Sequence, residues 1–175
     1  MLSLFRKSLT NTLVKWPDIP MYLKVYSPAD WQIQSPDPSL KNIKFHAQKN
    51  IGENTSLFML ISGQKYEDYF SDESIASLTK ASELEASTEK MGLYLCSQTI
   101  EIWEAKGSWV LHKTAYKDMI GYRITYILYY WKYCYSLIYG AVSDRDGVGL
   151  SLYKENDELF YDLVIKTRFK WAKGN

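Results

Sequence analysis

The stretch that decides the fold is residues 121–142, GYRITYILYYWKYCYSLIYGAV, where nearly every second residue is aromatic or β-branched. Such side chains suit a pleated surface that is covered. Apolar residues continue on both alternations, so the stretch reads as two successive strands, turned near Trp131 and covered on both faces. In the first of them Tyr122, Ile124, Tyr126, Leu128 and Tyr130 share one side, which is uniformly apolar or aromatic and belongs to the core. The other side carries Arg123, Thr125, Ile127, Tyr129 and Trp131. A cation and large rings on one face match the composition of interface hot spots, so Arg123, Tyr129 and Trp131 are the candidate partner-binding residues.

The segments on either side supply the cover. Leu2, Phe5, Leu9, Leu13 and Trp16 recur at three- and four-residue intervals, so residues 1–16 are expected to wind as an amphipathic helix that ends at Pro17. That helix packs either on the domain, across the Tyr129 and Trp131 face, or on a partner. Residues 17–175 then form one domain. All five prolines fall between Trp16 and Ser39 and break this region into extended pieces at 21–26 and 31–34. Residues 42–48 and 56–62 read as a hairpin. Residues 72–91 carry a thin apolar stripe with Ser71 or Asp72 as cap and Gly92 as stop, which predicts a one-sided helix. Alternation over 93–105 and 109–117, joined at Lys106-Gly107-Ser108, makes 93–142 an antiparallel meander of four strands. After a polar loop at 143–149, Leu152, Leu159, Phe160, Leu163, Val164 and Thr167 predict a terminal helix. Asp157 and Glu158 fall at its start, with Lys166, Arg168 and Lys170 at its end, as the helix dipole favours.

The chain has 175 residues, enough for one domain with one core. Its 21 basic and 20 acidic residues leave a net charge of +1, so no global field draws it to nucleic acid or an anionic membrane. Residues 1–16 hold no unbroken apolar run, so neither a secretory signal nor a stable membrane insertion is expected, and the cytoplasm is the default compartment. Rings make up 15% of the chain, with 15 Tyr and 6 Trp, which suits interfaces because one end is apolar and the other bonds to water.

Catalytic and metal signatures are sparse. His46 and His112 both lie in strand-like runs without a ligand spacing, and no nucleophile elbow, phosphate loop or dinucleotide fingerprint occurs. No metal and no cofactor is expected. Asp144, Asp146, Gly149 and Glu155 match four places of a calcium-binding loop, but Val148 stands where an oxygen ligand is usual and a strand precedes it. Glu101, Glu104 and Asp118 read as exposed charges. Cys96 and Cys134 are either buried thiols or a disulfide between strands.

The step Ser27-Pro28-Ala29-Asp30-Trp31, the hairpin, the single helix, the meander ending in Lys132-Tyr133-Cys134-Tyr135-Ser136-Leu137, and the closing Phe169-Lys170-Trp171 together resemble the PsbP-like superfamily over roughly residues 20–171. The resemblance implies an α+β fold, a single-domain α/β/α sandwich with a central, mainly antiparallel sheet. It also implies binding, since relatives include photosystem extrinsic proteins, a partner of a nuclear-import GTPase, secretion-effector chaperones and lipoproteins. The leading expectation is a non-catalytic protein-binding module that captures a partner protein stoichiometrically, as a toxin-immunity protein or an effector chaperone does. The alternative is a small-molecule-binding or hydrolytic protein with a pocket beneath the Tyr-rich strands, using His112 or His46. Self-association through a sheet edge or the first helix is a third route.

Overall fold

The computed structural model describes residues 8–36, 39, 42–88, 92–102 and 104–171. Its centre is a seven-stranded, wholly antiparallel sheet in the order β3-β4-β5-β9-β8-β7-β6. These strands are β3 (Gln32–Gln34), β4 (Ile43–Gly52), β5 (Thr55–Lys65), β6 (Gly92–Ile102), β7 (Ala105–Tyr116), β8 (Met119–Tyr130) and β9 (Tyr133–Ser143). The predicted meander is therefore present as β6-β7-β8-β9, and the long Tyr-rich strands β8 and β9 sit inside the sheet, as residues apolar on both alternations require. A second sheet, β1-β2-β10, joins β1 (Leu9–Lys15), β2 (Met21–Pro28) and β10 (Arg168–Trp171).

Helix α1 (Asp72–Thr88) lies on one face of the central sheet, mainly against β6 and β7. Its start is closed by reciprocal bonds: Ser74 N donates to Ser71 Oγ at 3.1 Å, and Ser71 N donates to Ser74 Oγ at 2.8 Å. Helix α2 (Asp146–Lys166) and the small sheet cover the other face. There Tyr122, Ile124, Tyr126 and Leu128 meet Tyr135, Leu137, Tyr139, Phe160 and Leu163 in the main core, all buried as the alternation predicts. The result is an α+β sandwich, a central antiparallel sheet with a helix on each face.

Three expectations are corrected. Residues 9–15 are strand β1, not the second half of an amphipathic helix, and residues 1–7 lie outside the described residues. In LTNTLVK the β-branched Thr10, Thr12 and Val14 alternate, and pairing with β2 satisfies a backbone that a short isolated helix would hold only marginally. The turn expected at Lys106-Gly107-Ser108 is instead part of β7. A Cβ on Gly107 would lie 1.8 Å from the Ile127 carbonyl oxygen, so glycine is there to admit the neighbouring strand, not to turn the chain. Helix α2 starts at Asp146, and Arg168, Phe169, Lys170 and Trp171 leave it as strand β10, paired to β2. Gly149 is buried in the first turns, packed against Ser143, Ile120 and Tyr122.

Candidate functional site

Two places on this scaffold gather unusual side chains. The first is the end of the sheet where β8 turns into β9. Trp131 occupies the turn with φ 56°, a left-handed conformation that costs a bulky L-residue roughly 1 kcal/mol. The connection from β5 to α1 holds it there: Tyr66 N donates to the Lys132 carbonyl and Phe70 N to the Trp131 carbonyl, both at 2.8 Å. Those bonds bring Tyr69 to within 6.2 Å of the Trp131 ring and Phe70 to 4.8 Å from Tyr129, while β10 places Trp171 at 5.2 Å on another side. Lys132 Nζ lies 4.5 Å from the Tyr69 centroid and donates to the Glu67 carbonyl at 2.5 Å.

The outcome is a contiguous aromatic end in which Tyr69 is 66%, Trp131 52% and Trp171 45% exposed. Beside it Tyr69, Phe70, Tyr129, Tyr130 and Trp131 line a concavity of about 430 Å³ with Asp72, Glu104 and Lys106. Tyr130 OH donates to Glu104 Oε2 at 2.7 Å, a bond that, with partial burial, holds the phenol above its ordinary value. Lys106 pairs with Asp72 at 2.9 Å.

The second place is the face of β4, β5, β9 and β8 that α1 does not reach. Register aligns Gln48, Phe58, Gly140, Arg123 and His112 in one row across the strands, and Asn50, Ser56, Val142, Gly121 and Thr114 in the next. Gly121 lines the concavity over these rows, which has a volume of about 680 Å³, while at Gly140 the Phe58 ring fills the space that a Cβ would take. Arg123 lines it, and its Nε donates to Nε2 of the buried His112. Burial, reinforced by the positive guanidinium, pulls His112 down to about 4. The imidazole is therefore neutral at pH 7, accepting at Nε2 and protonated at Nδ1, which has no hydrogen-bond partner among the described residues.

The three predicted binding residues do not form one patch. Arg123 lies on the open sheet face, six residues from Tyr129 along β8 and so about 20 Å away. Tyr129 is buried, 5% exposed, because Phe70 covers it, so it supports the aromatic end from below and is not itself on the surface. Arg123 and Tyr129 lie on the strand face that alternation gave them, and Trp131 stands exposed in the turn beyond it. Tyr69, Phe70 and Trp171 were missed, although three rings in the polar run YEDYF (residues 66–70) were a signal, since rings in a loop need cover or a partner.

The remaining candidates disperse. His46 is half-buried on β4, held below its usual value by burial. The calcium-loop match fails because Asp146 to Glu155 is helical, and Asp146 instead takes bonds from Tyr122 OH and Lys113. Cys134 on β9 and Cys96 on β6 are separated by β8 and β7, about 14 Å of strand spacing, which rules out a bond between them. Burial raises the Cys134 thiol to about 12.

No protein-family model matches the sequence, and no curated protein matches it. Solved structures do. The chain is similar to the cyanobacterial PsbP (CyanoP) of Synechocystis sp. PCC 6803, with 9% identity, 97% of each chain covered and a TM-score of 0.59. It is also similar to LpqN of Mycobacterium tuberculosis, a protein involved in cell envelope biogenesis, with 9% identity, 93% of this chain and 91% of that one covered, and a TM-score of 0.54. A protein of unknown function from Pseudomonas aeruginosa, PA94, aligns at 12% identity over 89% of this chain and 94% of its own, with a TM-score of 0.51. Among the described residues no helix is long and apolar enough to cross a membrane. At these identities the likeness is one of architecture: the chain has the PsbP-like fold.

Proposed function

We propose that the chain is a non-catalytic protein-binding module that captures a partner protein stoichiometrically through its aromatic end, working in the cytoplasm as a toxin-immunity protein or a secretion-effector chaperone would. One observation carries this reading: Trp131 lies against both Tyr69 and Trp171, and all three rings are about half exposed or more. Isolated exposed rings are ordinary, but a contiguous set on a fixed turn is what anchors interfaces. Little entropy is lost when such a surface is covered, because the Trp131 turn is already held by two backbone bonds.

The surroundings suggest the partner's chemistry. Glu67, Asp68, Asp72 and Glu104 flank the rings, against Lys106 and Lys132, so a basic side chain docking on a ring face meets both a quadrupole and net negative charge. The test is affinity capture from the native cell with mass spectrometry, followed by titration of the purified partner against wild type and the Tyr69→Ala, Trp131→Ala variant. A loss of more than about 2 kcal/mol in the folded variant supports the reading. Unchanged affinity for the purified partner contradicts it, and a wild type that shifts to dimer mass, lost in the variant, would make the partner a second copy of the chain.

A further inference from the structure

The concavity beside the aromatic end combines rings with a positioned carboxylate. The Tyr69 and Trp131 planes are inclined at 58°, and Trp131 stands at 64° to Trp171, so these rings form walls and do not lie flat on one another. Tyr130 stacks on both Trp131 and Phe169, at interplanar angles of 20° and 21°, which fixes the indole before anything binds. Glu104, exposed on the turn between β6 and β7, lines the same concavity, and the Tyr130 hydroxyl donates to its Oε2 at 2.7 Å. A carboxylate has about four acceptor sites, so this one bond sets its position and leaves most of its capacity for a donor. Lys106 is the one cation among the lining residues, and it is paired with Asp72. Asp72 and Glu104 against Lys106 therefore leave the lining with one negative charge. Lys132 Nζ, which does not line the concavity, already lies over the Tyr69 ring and shows on this surface the contact a cation makes there.

We infer that the concavity receives an arginine side chain of the captured protein, with the guanidinium plane against the Trp131 and Tyr69 walls and its N–H edge on Glu104. This inference rests on the aromatic end being the capture surface. A guanidinium is planar and weakly hydrated, and it stacks on a ring while donating in its own plane, so it uses the rings and the carboxylate together. A lysine ammonium is compact and strongly hydrated and has no face to stack. A quaternary ammonium has no N–H to donate, so it gains nothing from a carboxylate held in one orientation. Glu104 thus selects arginine, and Tyr130 is its positioning residue.

The experiment is an NMR titration of the full chain with acetylated, amidated tripeptides of glycine, X and glycine, where X is arginine, citrulline, lysine or trimethyllysine. Wild type binds the arginine peptide saturably in the low-millimolar range, about threefold or more tighter than the lysine peptide, and does not bind the citrulline peptide. Its shifts centre on the Trp131 indole and Glu104. Glu104→Gln, which still accepts from Tyr130, removes the preference for arginine over lysine. Tyr130→Phe keeps the charge but releases the carboxylate and narrows that ratio, which a loss of packing alone would not move. The inference is overturned if wild type shows no saturable binding, if citrulline binds as well as arginine, if trimethyllysine binds tighter than arginine, if Glu104→Gln leaves the ratio unchanged, or if the shifts centre on Arg123. With the purified partner, affinity lost in Tyr69→Ala, Trp131→Ala but kept in Glu104→Gln overturns this inference and leaves capture by the rings standing; a partner indifferent to both variants overturns both.

Discussion

The two faces of the central sheet are built from the same strands and finished differently. On β9, Tyr135, Leu137 and Tyr139 are wholly enclosed, while Ser136 and Ile138 between them are only half-buried. Cover explains the difference, because α2 and the three-stranded sheet close the first face, whereas α1 packs mainly on β6 and β7 on the second. One face holds the fold together. The other, with the hairpin end beside it, can change without emptying the core, so stability and binding should respond to different residues.

The largest expected effect tests that separation. Leu163→Ala on the closed side should cost about 2 to 5 kcal/mol in chemical denaturation, because it leaves a void in a packed core. Ile138→Ala on the open side should cost less than about 1.5 kcal/mol, since part of its surface already faces water. Equal losses would break the comparison. The second effect is pH dependence, which sharpens it, because His112 lies under the open face. Its folded value is about 4, against 6.5 for an unperturbed imidazole in the unfolded chain. Between these the unfolded chain binds the proton and the folded one does not, so stability rises with pH through that window. The contribution is complete above 6.5 and lost as pH falls to about 4, at most about 3 kcal/mol. His46, also lowered by burial, adds to the slope in the same direction. A folded His112→Gln variant should show a flatter stability profile from pH 6.5 to 4; an unchanged slope would show that the imidazole is not buried neutral beside Arg123. The smallest effect is at the turn. Trp131→Gly should be about 1 kcal/mol more stable than Trp131→Ala, because only glycine adopts φ 56° without cost. Equal melting curves would remove the left-handed turn from the account.

Much of this architecture was legible in residues 121–142. Strict alternation with rings and branched side chains admits little besides two covered strands, and each core-facing residue named from it is buried. The ends were harder. Residues 9–15 fit a helical stripe and a strand alike, and only the neighbouring β2 decides between them. Gly147 and Gly149 read as loop because glycine is a poor helix former, yet Gly149 sits where α2 approaches Tyr122 and Ser143 closely. Basic residues at 166–170 satisfied a helix dipole on paper and concealed β10. The candidate site was half legible: alternation put Trp131 and Arg123 on one strand face, but not the distance that assigns them to different places. Nor can alternation show that a loop 60 residues earlier brings Tyr69 to Trp131 and lays Phe70 over Tyr129.

The central claim is that the aromatic end binds while the closed face stabilises. Its most direct test is one variant read two ways: Tyr69→Ala, Trp131→Ala, with partner affinity by titration and stability by thermal melting. The account expects affinity to fall by more than about 2 kcal/mol while the melting temperature stays within a few degrees of wild type. A collapse in melting temperature with normal binding by the molecules that remain folded would contradict it, since the rings would then be packing residues and the capture surface would lie elsewhere.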